Sequence, residues 1–117
     1  MIDVRQTNEL TPRELVTIFK ERTRVFVVEQ TCYYQEVDDE DYQCFHVRIL
    51  DDRTNELMAY ARIMPKKDSV TFGRVLVVEK FRRQGLGSQL LKAVLDYIST
   101  HFPGLDVEIE AQAYLTK

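Results

Sequence analysis

Between Val75 and Ser88 the chain passes without a break from an apolar strand, Val75-Leu76-Val77-Val78, through Arg82 and Arg83 to Gly85, Gly87 and a long amphipathic segment. Leu90, Leu91, Val94, Leu95 and Ile98 recur at the spacing of one helical face, so the glycines are expected at a helix N-terminus. Unpaired backbone N–H groups and the positive end of the helix dipole converge there, and both favour an anion. Gly85 and Gly87 lack Cβ atoms, which lets the chain curl so that successive N–H groups point at one phosphate. Arg82 and Arg83 add charge at the rim. A glycine pair before a helix is also compatible with a plain tight turn, and an Arg pair with a solvated surface.

The surrounding residues narrow the choice. A Rossmann fingerprint needs Gly-x-Gly-x-x-Gly with an acidic residue some way on, and a phosphate loop of the Walker type ends in Gly-Lys-Ser/Thr. Neither is present. The order is Arg-x-x-Gly-x-Gly after a hydrophobic strand and a Val-Glu-Lys-Phe turn, and it resembles the acetyl-CoA-binding motif of the GNAT acetyltransferase superfamily. Upstream, Arg22-Thr23-Arg24-Val25-Phe26-Val27-Val28-Glu29-Gln30 followed by Tyr34-Gln35 and Asp38 resembles the signature of the ElaA-like branch of that superfamily. Ala59-Tyr60-Ala61-Arg62-Ile63, Gly73-Arg74-Val75 and Ala111-Gln112-Ala113 follow in register as counterparts of its strands. The resemblance covers nearly the whole chain.

It implies a mixed α/β sheet, the GNAT-like acyl-CoA N-acyltransferase fold, with strands four and five splayed apart. Val75, Leu76 and Val77 would lie against pantetheine, and Arg82, Arg83, Gln84, Gly85, Leu86, Gly87 and Ser88 around the pyrophosphate. The implied reaction is direct transfer of the acetyl group of acetyl-CoA to a primary amine. The amine must lose a proton to attack, and N–H groups near Val77 would polarise the thioester carbonyl. Members of the superfamily usually continue past strand five into a helix carrying a Tyr near the coenzyme sulfur, then two further strands. Lys117 ends the chain first, so a C-terminally incomplete domain is expected, with the acid role unassigned. Tyr114 falls too early in the pattern to take it.

Composition is that of one small domain: 117 residues, 44% hydrophobic and 30% charged, allow a single core. A net charge of −3 gives no basic footprint for nucleic acid. Apolar runs are short and Met-Ile-Asp-Val lacks the features of a signal peptide, so neither membrane nor export is expected and the cytoplasm is the default location. Cys32 and Cys44 read as free thiols, and no set of side chains has metal-ligand spacing.

The element order reads β-α-loop-β-β-β-α-β. Thr11-Pro12-Arg13-Glu14 supplies an N-cap, a first-turn proline and a capping-box Glu, with Leu10 and Leu15 as a staple. The β-branched run from Val25 to Val28 should end the first helix or carry it into a second short element. Strands are expected at 45–50, 57–64, 70–77 and 107–111, the last parallel to its predecessor because a helix joins them.

For the acceptor, residues 36–41 hold five carboxylates in six positions. Such a run is either a solvated face or a trap for a cationic amine. Tyr34, Gln35, Asp38 and Asp41, with Phe26 and Glu29, are the candidate acceptor contacts. Glu29 directly after Val-Phe-Val-Val needs a partner if buried, with Arg22 or Arg24 at hand. Glu29 and His46 are the candidates for a catalytic group, with Glu108 and Glu110 on strand five weaker still, and for Glu29 and His46 a structural role competes. Non-catalytic acyl-CoA binding and an acyl-homoserine-lactone-synthase-like activity are the alternative functions. A sheet ending at strand five leaves an open edge, so a homodimer or a covering segment is expected.

Overall fold

The structure is a computed structural model, and it describes residues 1–110. The expected counterpart Ala111-Gln112-Ala113 and Tyr114 lie outside the described residues. Five strands, β1 (Ile2–Gln6), β2 (Phe45–Leu50), β3 (Leu57–Pro65), β4 (Ser69–Val77) and β5 (Asp106–Ile109), form one sheet in that order. The first three pairings are antiparallel and β4–β5 is parallel, as the helical crossover requires.

Each face has its own helix. Val47, Ile49, Ala59, Ala61, Ile63, Val70 and Phe72 pack on Leu86, Leu90, Val94 and Ile98 of α2 (Leu86–His101). Leu91 and Leu95, one position off that stripe, are 40% and 47% exposed, so the buried face is narrower than the apolar pattern suggested. On the other face Leu50, Tyr60 and Leu76 pack on Ile18, Val25 and Phe26 of α1 (Pro12–Thr23) and its continuation. The α1 N-terminus is built as expected: Thr11 Oγ1 accepts from Glu14 N–H, and Glu14 Oε1 accepts from Thr11 N–H.

The β-branched run does not break the helix but widens it. Arg24–Glu29 is π-helical, Cys32 N–H reaches back to Val27 O, and Thr31 at φ +50° ends the element. Among the described residues no helix is long and apolar enough to cross a membrane.

Candidate functional site

The site lies along the far half of β4. Among the described residues β4 and β5 pair from Ser69↔Asp106 to Phe72↔Ile109, and Glu110 N–H donates to Phe72 O. Beyond it, residues 73–77 have no strand on their outer side among the described residues. At this point β4 is itself irregular. Tyr60 faces Leu76 and Arg62 faces Gly73, so Arg74 and Val75 oppose the single residue Ala61 in a β-bulge. Arg74 sits at φ +52°, a left-handed backbone unusual for a residue with a side chain. The bulge adds twist to β4 and turns the Arg74 side chain onto the face covered by α1.

At the end of the strand the 79–85 turn approaches α2. Arg83 at φ +69° and Gly85 at φ +74° curl the backbone, and no side chain caps the helix. A Cβ added at Gly85 or at Gly87 would meet nothing within 4 Å. The uncapped N–H groups of the first turn therefore face an open space of the kind a phosphate requires. Of the two arginines, Arg83 is exposed, whereas Arg82 is tied down. Arg82 Nε donates to Val77 O and Nη2 to Glu29 Oε1, each at 2.9 Å. Arg82 thus fastens the turn to the end of β4, and Glu29 pairs with it rather than with Arg22 or Arg24. Leu76 is buried in the α1 core while Val75 and Val77 are half-buried, the alternation of a strand.

The acidic loop is neither simply solvated nor free to trap cations. Three arginines anchor it: Arg22 of α1, offered by the sequence only as a partner for Glu29, and Arg62 and Arg74 of the sheet, which the sequence analysis left without a pairing role. Arg22 binds Glu36 through Nε and Asp41 through both terminal nitrogens, at 2.6 and 2.9 Å. Arg62 binds Asp38 and Asp41 through Nη1, and Glu110 through Nη2 at 2.7 Å. Arg74 reaches Glu36 at 2.7 Å and Glu110 at 3.1 Å, and its guanidinium stands 5.5 Å above the Tyr34 ring. Salt bridging at this depth is stable only because nearly every oxygen has a donor. Burial raises and the Arg22 hydrogen bond lowers the Asp41 pKa, with the net result below the usual carboxylate range; the Arg62 hydrogen bond lowers that of Asp38. Glu40 takes Lys66 at 2.9 Å, which leaves Asp39 as the loop carboxylate with no ion pair among the described residues.

Several candidate acceptor residues are therefore placed away from solvent. Asp41 is only 5% exposed and serves two arginines, and Phe26, 1% exposed, packs in the core beneath α1. His46 is fully buried, and both ring nitrogens are occupied. Thr7 Oγ1 donates to Asp41 O, so it must accept from His46 Nε2–H, and Nδ1 then accepts from the Tyr60 hydroxyl. Burial pushes the imidazole pKa down to about 4. At neutral pH His46 is therefore an uncharged imidazole with both nitrogens engaged inside the fold.

Gln35, Asp38 and Asp41 do meet at one place, a cavity of about 610 Å³ between α1 and the loop. Its walls also include Leu15 and Phe19 of α1 and, from the loop, Val37, Asp39 and Tyr42. Asp38 joins this cavity to the sheet: its Oδ2 and Glu110 Oε2 share Arg62 Nη2, at 3.1 and 2.7 Å.

The fold that carries these features has counterparts among known proteins. The acetyltransferase (GNAT) domain model matches residues 7–117. In sequence the chain is 39% identical over 111 residues to the protein ElaA of Escherichia coli, covering 92% of this chain and 72% of that protein. The structure superposes on the crystal structure of E. coli ElaA with a TM-score of 0.87 and 35% identity, covering 99% of this chain and 81% of that chain. An acyl-CoA N-acyltransferase from Pseudomonas aeruginosa gives a TM-score of 0.86 and 35% identity over 98% of this chain and 81% of that one. The chain is therefore a member of the GNAT acetyltransferase family.

Proposed function

We propose that the protein is an acetyl-CoA-dependent N-acetyltransferase that transfers the acetyl group to a primary amine by direct attack. The observation that carries this reading is the uncapped glycine turn at the start of α2, to which residues 73–77 of β4, without a partner strand on one side among the described residues, lead directly. Bound acetyl-CoA supplies an activated acyl thioester. The curled 83–85 backbone and the first turn of α2 offer N–H groups to its pyrophosphate, and Gly87 leaves room for close approach. The open side of β4 offers backbone amides to the pantetheine arm, and N–H groups near Val77 are suited to polarising the thioester carbonyl. Arg82, committed to Val77 O and Glu29, keeps strand and turn in fixed relation. The amine attacks only as the neutral base, and its proton leaves as the C–N bond forms.

The test is incubation of the purified protein with acetyl-CoA and a panel of primary amines. Expected is release of free coenzyme A thiol matched by mass-spectrometric appearance of the acetylated amine. Thiol release at the same rate with and without every amine would overturn the reading.

A further inference from the structure

From the charge balance around the acidic loop we infer that the acceptor is a monoamine carried on an apolar body, held in the cleft between α1 and the loop, rather than a polycation or a sugar amine. This inference rests on the acetyltransferase reading and deepens it. From the sequence alone, five carboxylates within residues 36–41 would suit a polyamine. The structure removes most of that charge. Arg22, Arg62 and Arg74 engage Glu36, Asp38 and Asp41, and they share Glu110 as a fourth carboxylate. Glu110 is held by Arg62 and Arg74, so four carboxylates against three guanidiniums leave one net negative charge in this network, and the exposed Asp39 stands outside it. Asp38 is one-third exposed and borders the cleft, so it is where that charge can meet a ligand. A single ammonium matches it, and a carboxylate oxygen can accept more than the donors Asp38 already has.

The rest of the cleft is mostly apolar. Leu15 and Phe19 form one wall and Val37 and Tyr42 the other, with Thr7, Gln35 and the buried, arginine-bound Asp41 as polar lining and the solvent-exposed Asp39 as the lining carboxylate with no ion pair among the described residues. Tyr42 is 81% exposed and Val37 36% exposed, a pair of apolar surfaces at a loop tip with no packing role among the described residues. A polyhydroxylated or multiply charged acceptor would bury its polar groups against these walls without partners, which is costly. An alkyl or aryl body covers them instead. Position agrees with chemistry, because one guanidinium, Arg62, separates Asp38 from Glu110 at the end of β5. An amine held at Asp38 therefore lies beside the start of the 73–77 stretch along which the pantetheine arm would run. Acetylation then removes the charge that held the amine, which favours release of the neutral amide.

The test uses three probes with the full chain: 4-phenylbutylamine, spermidine and glucosamine. Ligand-observed NMR with coenzyme A present should show binding of 4-phenylbutylamine, and kcat/KM with acetyl-CoA should be at least tenfold higher for it than for the other two. The double variant Val37→Ser/Tyr42→Ser, at two exposed positions, should raise the KM for 4-phenylbutylamine by roughly tenfold, the effect of losing two apolar contacts. Its dissociation constant for acetyl-CoA should not change. A preference for spermidine or glucosamine, absence of 4-phenylbutylamine binding, or an unchanged KM in the double variant would overturn the inference while leaving the acetyltransferase reading intact. Failure of the wild-type protein to bind acetyl-CoA would instead remove that reading itself.

Discussion

The side chain of Glu110 crosses directly over Gly73. A Cβ placed on Gly73 would fall 2.5 Å from Glu110 Cβ and closer still to Oε1, a separation that real atoms do not tolerate. The absent side chain lets Glu110 reach across β4 to Arg62 at 2.7 Å and Arg74 at 3.1 Å. β5 is thereby pinned to β4 next to the Phe72↔Ile109 pair.

Gly73→Ala is therefore expected to destabilise the protein by about 1–3 kcal/mol, as overpacking does, and to weaken acetyl-CoA binding by shifting this part of β4. Because the clash is with the Glu110 side chain from Cβ outward, the double variant Gly73→Ala/Glu110→Gly should lose less stability than the two single changes added together. Denaturant titrations of the four proteins check this, and strict additivity would show that Glu110 is not what keeps residue 73 a glycine.

Arg22 holds Glu36 and Asp41 in a fully buried position. Arg22→Met leaves two carboxylates without their main partner, at a cost of about 3–5 kcal/mol. Chemical denaturation measures the loss. A change below about 1 kcal/mol, the value typical of an exposed ion pair, would contradict the buried network.

Burial lowers the His46 pKa from 6.5 to about 4, so the folded state resists a proton that the unfolded chain binds readily. Stability from this group is complete above pH 6.5 and is lost as the pH falls towards 4, by roughly 3 kcal/mol in all. The lowered carboxyls of Asp38 and Asp41 act in the same direction but below their ordinary value of 3.8, so the two windows are separable. Thermal melts at intervals from pH 7 to pH 4 should show the decline, and His46→Gln should flatten it. An unchanged slope in that variant would assign the decline elsewhere.

The thiols should behave unequally. Cys44 is 1% exposed, and burial pushes its pKa up to about 12, whereas Cys32 is half-buried. A disulfide reagent at pH 8 should modify one thiol per native chain quickly and the second only on unfolding, with Cys32→Ser abolishing the fast phase. Two fast thiols would mean that the Cys44 region opens in the native state.

Much of the fold was legible because local rules agreed with tertiary ones. The capping box at Thr11, the strands, the glycine turn and the parallel return through α2 each carry a periodicity or a turn residue that acts within a few positions. What escaped the sequence depends on contacts between distant residues. The bulge at Arg74 and Val75 shows only in the register against Ala61, because nothing in Gly-Arg-Val marks an αL arginine. The acidic loop looked unpaired because its partners, Arg22, Arg62 and Arg74, stand on three different elements. One signal was available: Arg62 lies in the apolar run Ala-Tyr-Ala-Arg-Ile, where a buried guanidinium must have a carboxylate. The burial of Phe26 and His46 was not legible either, since neither a family-like block nor a place at the head of a strand says which face a side chain takes.

The central claim is that residues 73–77 of β4 and the glycine turn form the coenzyme site, and titration calorimetry of acetyl-CoA into the wild-type protein and into Gly87→Glu tests it most directly. A Cβ at Gly87 meets nothing within 4 Å, so the variant should fold normally while placing bulk and negative charge where the pyrophosphate is expected. The account predicts saturable binding by the wild type and none detectable in a Gly87→Glu protein whose melting temperature is unchanged. Equal affinity in the two proteins, or no binding by the wild type, would contradict it.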